Sequence, residues 1–178
     1  MIVVLSDIRS IYNVGSIFRT ADAVGAEKIY LCGITPAPID RFGKIRPQFA
    51  KVSLGAEKLV KWAKVKATGV IIEKLKKDGY KIFAIEQSKT SILYYKTNLS
   101  RSDRDRLVLI LGGEVKGLPP AILKKADKVL EIPMRGAMVR QAHHPRSLGR
   151  GKESLNVSVA FGVIAYFLRF KKCNVIFN

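Results

Sequence analysis

The chain has 178 residues, of which 32 are lysine or arginine and 14 are aspartate or glutamate, so its net charge is +18. A chain of this length fits one domain built around a single core. So large a positive charge favours a polyanionic partner such as a nucleic acid. The alternative is a generally basic, well-solvated surface, because net charge alone does not identify a partner.

The cysteine and histidine positions argue against a disulfide framework and against a metal site. Cys32 and Cys173 are too few and too far apart for either, so we expect a reducing cytoplasm. His143 and His144 have only Glu153 as a further ligand type within ten residues. We expect no signal peptide and no membrane span, since the longest apolar run, residues 157–168, is too short to cross a bilayer.

Apolar runs alternate with helical patterns along the chain. In chain order we predict a strand at 2–5, a helix at 14–24, a strand at 28–32, a helix at 69–78, strands at 81–86, 107–111 and 128–132, and a helix at 154–170. This alternation predicts one α/β domain whose parallel sheet is covered by helices on both faces. Ligand-binding loops of such sheets gather at the carboxyl ends of the strands.

Three sequence motifs follow predicted strands. They are YNVGSIFRTADAVGA at 12–26, LGGEVKGL at 111–118, and EIPMRG at 131–136, which a basic insertion separates from SLNVSVAFGVIAYFL at 154–168. In this order they resemble the SpoU/TrmH branch of the SPOUT RNA methyltransferases, which move a methyl group from S-adenosyl-L-methionine to a ribose 2'-hydroxyl. The resemblance implies a C-terminal trefoil knot from about Leu111 onward, which periodicity could not predict. It also implies a homodimer, with the first motif and the last helix at the interface.

The resemblance assigns the cofactor to residues at strand ends and at the start of the last helix. The cofactor-binding residues that we predict are Gln87, Leu111, Gly112, Gly117, Ile132, Met134, Ser154 and Leu155. Glycine after a buried strand lets the backbone approach a ligand, although a tight turn into a helix starting at 118–120 explains it equally well. The glycine spacing matches neither a phosphate loop nor a dinucleotide fingerprint. Gly113 stands where the family often has asparagine, which puts a side-chain hydrogen bond there in doubt.

The resemblance also predicts five catalytic residues: Arg19, Asn13, Glu114, Ser154 and Asn156. Arg19 could hold an RNA phosphate in a bidentate grip. It could instead act as a base once a bound phosphate shifts its proton equilibrium, because a guanidinium with a pKa above about 12 is otherwise a poor base. Glu114 is expected to orient Asn13 or Arg19 by hydrogen bonding.

Each of these residues also has a purely structural interpretation. Arg19 could form a helix-surface salt bridge with Asp22. Asn13 and Ser154 could be helix N-caps, and Glu114 could be an acid in the first turn of a helix.

Residues 36–66 predict a substrate surface. A basic loop, DRFGKIRP at 40–47, is followed by further lysines. The RNA-binding residues that we predict are Arg41, Phe42, Lys44, Arg46 and Lys51. Basic side chains contact phosphates, and Phe42 could stack on a base. The alternative is a solvated loop with a buried Phe42.

An insertion at about 137–151 departs from the family pattern. Seventeen residues separate Gly136 from Ser154, where the family needs about three. Pro145, Gly149 and Gly151 make this basic segment a poor helix or strand. It could contact RNA, lie harmlessly on the surface or impair the enzyme, since long irregular loops are either functional or disordered.

We therefore interpret residues 1–178 as one SpoU/TrmH-like domain that methylates ribose 2'-hydroxyls of tRNA or rRNA with S-adenosyl-L-methionine. The expected partners are RNA and a second copy of the chain, with no metal and no membrane. The alternatives are a catalytically inactive RNA-binding protein of the same fold and a methyltransferase that acts on a base.

Overall fold

The computed structural model describes residues 1–134 and 154–171. Its strands are β1 Ile2–Ser6, β2 Lys28–Cys32, β3 Lys61–Val65, β4 Lys81–Ile85, β5 Ile92–Leu93, β6 Leu107–Gly112 and β7 Lys128–Glu131. Its helices are α1 Ile11–Ala23, α2 Pro47–Ser53, α3 Ala56–Leu59, α4 Thr68–Lys77, α5 Arg101–Asp105, α6 Pro120–Leu123 and α7 Val157–Phe170, with a 3₁₀ turn at Tyr94–Lys96. The strands form one sheet of order β3-β2-β1-β6-β4-β7-β5, and every pair in it is parallel.

The sheet is covered on both faces, as the sequence predicted. The central strands β1 and β6 are buried along their whole length, which is typical of a parallel sheet between two helical layers. Val3 and Leu109 face a core that includes Phe18 of α1 and Phe161 of α7. On the other face, Val4 and its neighbours pack against α4 and α6.

Two helix starts differ from the predicted ones because other residues cap them. Helix α1 begins at Ile11, where the Ser10 hydroxyl accepts a 3.2 Å hydrogen bond from the backbone N–H of Asn13. The interpretation of Asn13 as an N-cap is therefore wrong. Helix α7 begins at Val157, and Asn156 rather than Ser154 is its cap, accepting from the Ser158 N–H at 2.9 Å.

The segment predicted as a substrate surface, 36–66, contains more regular structure than its charge indicated. It includes α2, α3 and the edge strand β3, in which two half-buried residues lie between the exposed Lys61 and Lys64. Lys51 consequently lies on α2. The predicted loop occupies only the part of the segment 36–66 that precedes α2. An edge strand with lysine on its solvent side is protected against pairing with other chains.

Several sequence features bear on partners and metals. No helix within 1–134 or 154–171 is long and apolar enough to cross a membrane. The same residues contain no group of three His, Cys, Asp or Glu side chains that could hold a metal ion. Burial raises the pKa of the Cys32 thiol to about 11, so this cysteine is a packing residue. Cys173, both histidines and the 137–151 insertion lie outside the described residues.

Candidate functional site

A cleft of about 550 Å³ opens at the carboxyl ends of β4, β6 and β7, beside the start of α7. All the residues predicted to bind the cofactor line it: Gln87, Leu111, Gly112, Gly117, Ile132, Met134, Ser154 and Leu155. Because the strands are parallel, their carboxyl ends and the loops that follow meet at one edge of the sheet. The second and third motifs therefore face each other across this cleft.

A tight turn at 112–118 forms one wall of the cleft. A Cβ on Gly112 would overlap the backbone of Gly117, and a Cβ on Gly113 would lie 2.5 Å from the carbonyl oxygen of Asp7. Gly117 has a φ of 61°, which favours glycine. The turn explains these glycines, and the backbone beside it still lines the cleft. No helix begins at Glu114, so its interpretation as a first-turn acid is wrong; α6 starts only at Pro120.

Sequence reasoning missed Glu86, which anchors this turn. One carboxylate oxygen accepts a 2.8 Å hydrogen bond from the backbone N–H of Leu118, and the other accepts from the N–H of Gln87 at 3.0 Å. A Cβ on Gly117 would collide with the same carboxylate. The only sequence signal was an acidic residue at the end of a buried strand, which by itself has many explanations.

The cleft combines apolar side chains with main-chain polar groups. Ile132, Met134 and Leu155 contribute apolar surface, while the strand ends contribute carbonyl and N–H groups. Such a lining suits an adenosine-like ligand, whose base needs an apolar slot and whose polar edges need hydrogen-bond partners. The residues present therefore fit S-adenosyl-L-methionine.

A hydrogen-bond network at the mouth of the cleft joins all three motifs. The Asn13 side chain donates to Glu114 Oε1 at 2.7 Å and accepts from Asn156 Nδ2 at 3.0 Å. Glu114 Oε2 also accepts from the backbone N–H of Arg9 at 3.2 Å. Burial tends to raise the pKa of Glu114, but the hydrogen bonds from Asn13 and from backbone N–H groups outweigh it and hold that pKa below the usual 4.5.

Arg19 and Ser154 are placed differently from these three residues. Ser154 lines the cleft, but it is exposed and takes no part in the network. Arg19 is exposed on α1 and does not line the cleft. Within the described residues it forms no ion pair, so the interpretation of a salt bridge with Asp22 is wrong. Arg19 lies six residues beyond Asn13 on α1, roughly 9 Å farther along the helix from the network.

The basic loop that follows β2 is organised around Asp40. Its Oδ1 accepts hydrogen bonds from the N–H groups of Phe42 and Lys44, at 2.8 and 3.0 Å. The Phe42 side chain is 72% exposed, with the Arg41 guanidinium 4.7 Å from its ring centroid. The interpretation of a buried Phe42 is therefore wrong. Because β2 is parallel to β6, this loop leaves the same edge of the sheet as the cleft.

The remaining predicted RNA-binding residues surround this loop. Arg46 donates from Nε to the carbonyl of Ile39 at 3.2 Å, so its side chain also supports the base of the loop. Lys44 and Lys51 are exposed. The loop thus presents an exposed aromatic ring among cations, on a backbone that Asp40 fixes.

Comparison with known proteins gives a family match and close structural relatives. The model of the SpoU rRNA Methylase family matches residues 1–140. A protein of Aquifex aeolicus named tRNA (guanosine(18)-2'-O)-methyltransferase is 29% identical over 170 residues, which cover 93% of this chain and 67% of the relative. The chain spans little more than half the length of several other curated relatives.

Two solved structures extend the comparison to the fold. An AdoMet-bound rRNA methyltransferase from Sinorhizobium meliloti matches with a TM-score of 0.75 at 26% identity, over 94% of this chain and 55% of that one. A structure concerned with 2-OH methylation of C/U34 on tRNA matches with a TM-score of 0.67 at 25% identity, over 94% of this chain and 92% of that one.

Proposed function

Because the chain belongs to the SpoU rRNA methylase family, we propose that it methylates ribose 2'-hydroxyls of tRNA or rRNA with S-adenosyl-L-methionine. The observation that carries this proposal is the junction of the cleft with the network of Asn13, Glu114 and Asn156. The names of the relatives support it, since they include a tRNA 2'-O-methyltransferase and an AdoMet-bound rRNA methyltransferase.

The cofactor lies in the cleft in this proposal. The backbone at 111–117 and 132–134 would hold its polar groups, and Met134 and Leu155 would supply apolar surface for its base. When bound, S-adenosyl-L-methionine supplies an electrophilic methyl group, whose transfer to a hydroxyl requires no metal. Glu86 acts indirectly, because it fixes the turn that carries Gly112 and Gly117.

The protein contributes mainly orientation to the reaction. Glu114 holds the side chain of Asn13, and Asn13 holds that of Asn156, so the two amides can position the target ribose at the mouth of the cleft. Correct orientation can contribute several kcal/mol to lowering a reaction barrier. Arg19 forms no ion pair within the described residues, so its guanidinium can hold an RNA phosphate in a bidentate grip. It could take up the hydroxyl proton only after losing a proton of its own, because a protonated guanidinium has no acceptor site.

The RNA is held by the loop around Asp40 and by the net positive charge. Arg41, Lys44, Arg46 and Lys51 approach phosphates while Phe42 stacks on a base. The exposure of Phe42 and its fixed backbone support this role, because a loop backbone that is already ordered loses little entropy when it binds. The insertion at about 137–151 adds further positive charge to the single domain of 1–178.

A second copy of the chain completes the site in this proposal. Arg19 lies outside the cleft of its own protomer, so a homodimer interface through α1 and α7 would let it reach the cleft of the partner. Tyr12 on α1 and Val159, Tyr166 and Phe170 on α7 are large apolar side chains that are about half exposed. Burying them between two copies would contribute to association. The trefoil knot from about Leu111 onward and a cytoplasmic location remain part of the proposal.

The test is methyl transfer from labelled S-adenosyl-L-methionine to tRNA and rRNA from a strain that lacks the gene. Mass spectrometry of the resulting nucleosides locates the label on the ribose or on the base. Label on a ribose is expected, and label on a base would replace the proposal with the base-directed alternative. Calorimetry that detects RNA binding without cofactor binding would favour the inactive RNA-binding alternative.

A further inference from the structure

A second cavity, of about 280 Å³, shares the turn at 113–117 with the cofactor cleft. Its other walls come from the loops after β1 and β2 and from Pro119. Glu114 lines both cavities, so a group bound in the smaller one would lie beside the network of Asn13, Glu114 and Asn156. The cavity is smaller than a typical site for a whole cofactor and suits part of a nucleotide.

One wall of this cavity is the apolar side chain of Ile34, whose backbone is held in place by charged residues. The backbone N–H of Ile34 donates to Asp7 Oδ1 at 3.1 Å. Lys64 Nζ donates to the carbonyl of Gly33 at 2.7 Å and also to the carbonyl of Thr35. The backbone of Ile34 is thus fixed on both sides while its side chain is 60% exposed. Such an arrangement gains nothing for the core and preorganises an apolar contact for a ligand.

The backbone around this contact is strained, which supports a functional role. Asp7 adopts a φ of 56°, in the left-handed region that non-glycine residues rarely occupy. Gly33 also has a positive φ, and a Cβ there would collide with the Asp7 carboxylate. Strain of this kind persists where the surrounding structure imposes it, and it is concentrated at functional sites.

Two carboxylates and two cations line the cavity, and only the cations have unused hydrogen-bond donors for a phosphate. Its carboxylates are already engaged, since Glu114 accepts from Asn13 and Arg9, and Asp7 accepts from Ile34. Its cations, Arg9 and Lys116, are exposed and form no ion pair within 1–134 and 154–171. Val115, 77% exposed, adds a second apolar side chain.

We propose that this cavity receives the base of the nucleotide whose ribose is methylated. Ile34 and Val115 contact the face of an unstacked base, and Arg9 and Lys116 contact a phosphate of the same nucleotide. Single-stranded RNA is usually bound by base stacking, mostly on aromatic side chains, and by cation contacts to phosphates. Here the aliphatic Ile34 and Val115 would take the place of the aromatic ring. The inference rests on the proposed function, because it places the target nucleotide next to the network that orients its ribose.

The experiment compares two pairs of variants, using unfractionated RNA from a strain that lacks the gene as the probe. Ile34→Ala is matched by Leu59→Ala, which removes an apolar side chain of equal size that is 71% exposed at the end of α3. Arg9→Ala is matched by Arg106→Ala, which removes an exposed cation just before β6, at the opposite edge of the sheet. Ile34 and Arg9 line the small cavity and not the cofactor cleft.

We expect Ile34→Ala and Arg9→Ala each to lower kcat/KM for RNA by about tenfold, while the Kd for S-adenosyl-L-methionine changes less than about twofold. Ile34→Met, which retains the apolar surface, should restore most of the activity. Leu59→Ala and Arg106→Ala should behave like the unaltered protein. Thermal melting checks that every variant is folded.

The outcomes separate this inference from the proposed function. If the unaltered protein transfers no methyl group to the RNA, the proposed function fails. If the unaltered protein is active and Ile34→Ala matches Leu59→Ala in kcat/KM, the cavity does not bind the target nucleotide and the inference is overturned.

Discussion

Glu114 accepts a 2.7 Å hydrogen bond from the side chain of Asn13, although 101 residues separate the two in sequence. Asn13 is in turn joined to Asn156, so one side chain connects the first motif with both of the others. The turn that carries Glu114 can hold this position only if Gly112 and Gly113 lack side chains. Hydrogen bonds therefore join the three motifs, and a change in any of them should displace side chains at the mouth of the cleft.

The first prediction concerns the pH dependence of stability. The folded-state pKa of Glu114 lies below 4.5, so its carboxylate stabilises the fold above that pH, and the contribution is lost as pH falls through the folded-state pKa. Glu114→Gln should therefore lower Tm by a constant amount at neutral pH, and the difference should shrink in acid. Thermal melting of both proteins between about pH 3 and pH 8 measures it. A difference that is unchanged at the acid end would contradict the role of the charge.

The second prediction concerns the turn. Gly112→Ala should abolish or strongly weaken cofactor binding, because the new Cβ would overlap the backbone of Gly117 and displace the wall of the cleft. Gly69→Ala is the control, since a Cβ there finds its nearest neighbours at 3.9 and 4.0 Å and lies in α4. That control should be neutral or stabilising by up to about 1 kcal/mol. Calorimetric titration with S-adenosyl-L-methionine and thermal melting compare the two variants. Equal cofactor affinities of Gly112→Ala and Gly69→Ala would show that the turn can shift to accommodate a Cβ.

The parts of the structure that the sequence predicted are those with a local signal. Strands β1 and β6 are continuous apolar runs, and β2 was predicted with its observed bounds. The cleft residues followed from motif resemblance, which carries information that periodicity lacks. Strand β3 was missed because two of the five residues in its KWAKV sequence are lysines and only one is β-branched, which is typical of a solvated segment.

The features that sequence reasoning could not supply depend on contacts between distant residues. Glu86 anchors Leu118 only because β4 lies beside β6 in the sheet. The engagement of Asp7 with Ile34 likewise depends on the pairing of β1 with β2. Helix N-caps are local features, but several neighbouring residues can have suitable side chains. Asn13 and Ser154 were therefore predicted as N-caps where the structure has Ser10 and Asn156.

The third prediction concerns the basic loop. RNA affinity should fall steeply with salt, because phosphate contacts release counterions. Arg41→Ala and Lys44→Ala should each weaken binding and reduce the slope of log affinity against log salt by about one. Lys74→Ala, which removes an exposed lysine from α4, is the control. Fluorescence anisotropy with labelled tRNA at several salt concentrations measures the slopes. A flat salt dependence would remove this loop from the RNA-binding surface.

The fourth prediction is that Arg19→Ala abolishes methyl transfer while the Kd for S-adenosyl-L-methionine changes little. Arg19 lies in the first motif but does not line the cleft, so its removal should leave the affinity for the cofactor unchanged. Arg106→Ala serves as the control for removing one positive charge. Turnover with labelled cofactor and calorimetry give the two readouts, and near-normal turnover would refute a catalytic role.

The fifth prediction concerns the second copy of the chain, and it follows from where Arg19 lies. If Arg19 acts on the cleft of the partner, an Arg19→Ala protomer with an intact cleft can be rescued by a Gly112→Ala protomer with an intact Arg19. Random mixing should restore roughly a quarter of normal activity, because half of the dimers are mixed and each mixed dimer has one complete site. Co-expression with two affinity tags allows the mixed dimers to be isolated and assayed. If Arg19 instead serves its own cleft, every mixed dimer lacks a complete site and stays inactive, so the same measurement decides between the two arrangements.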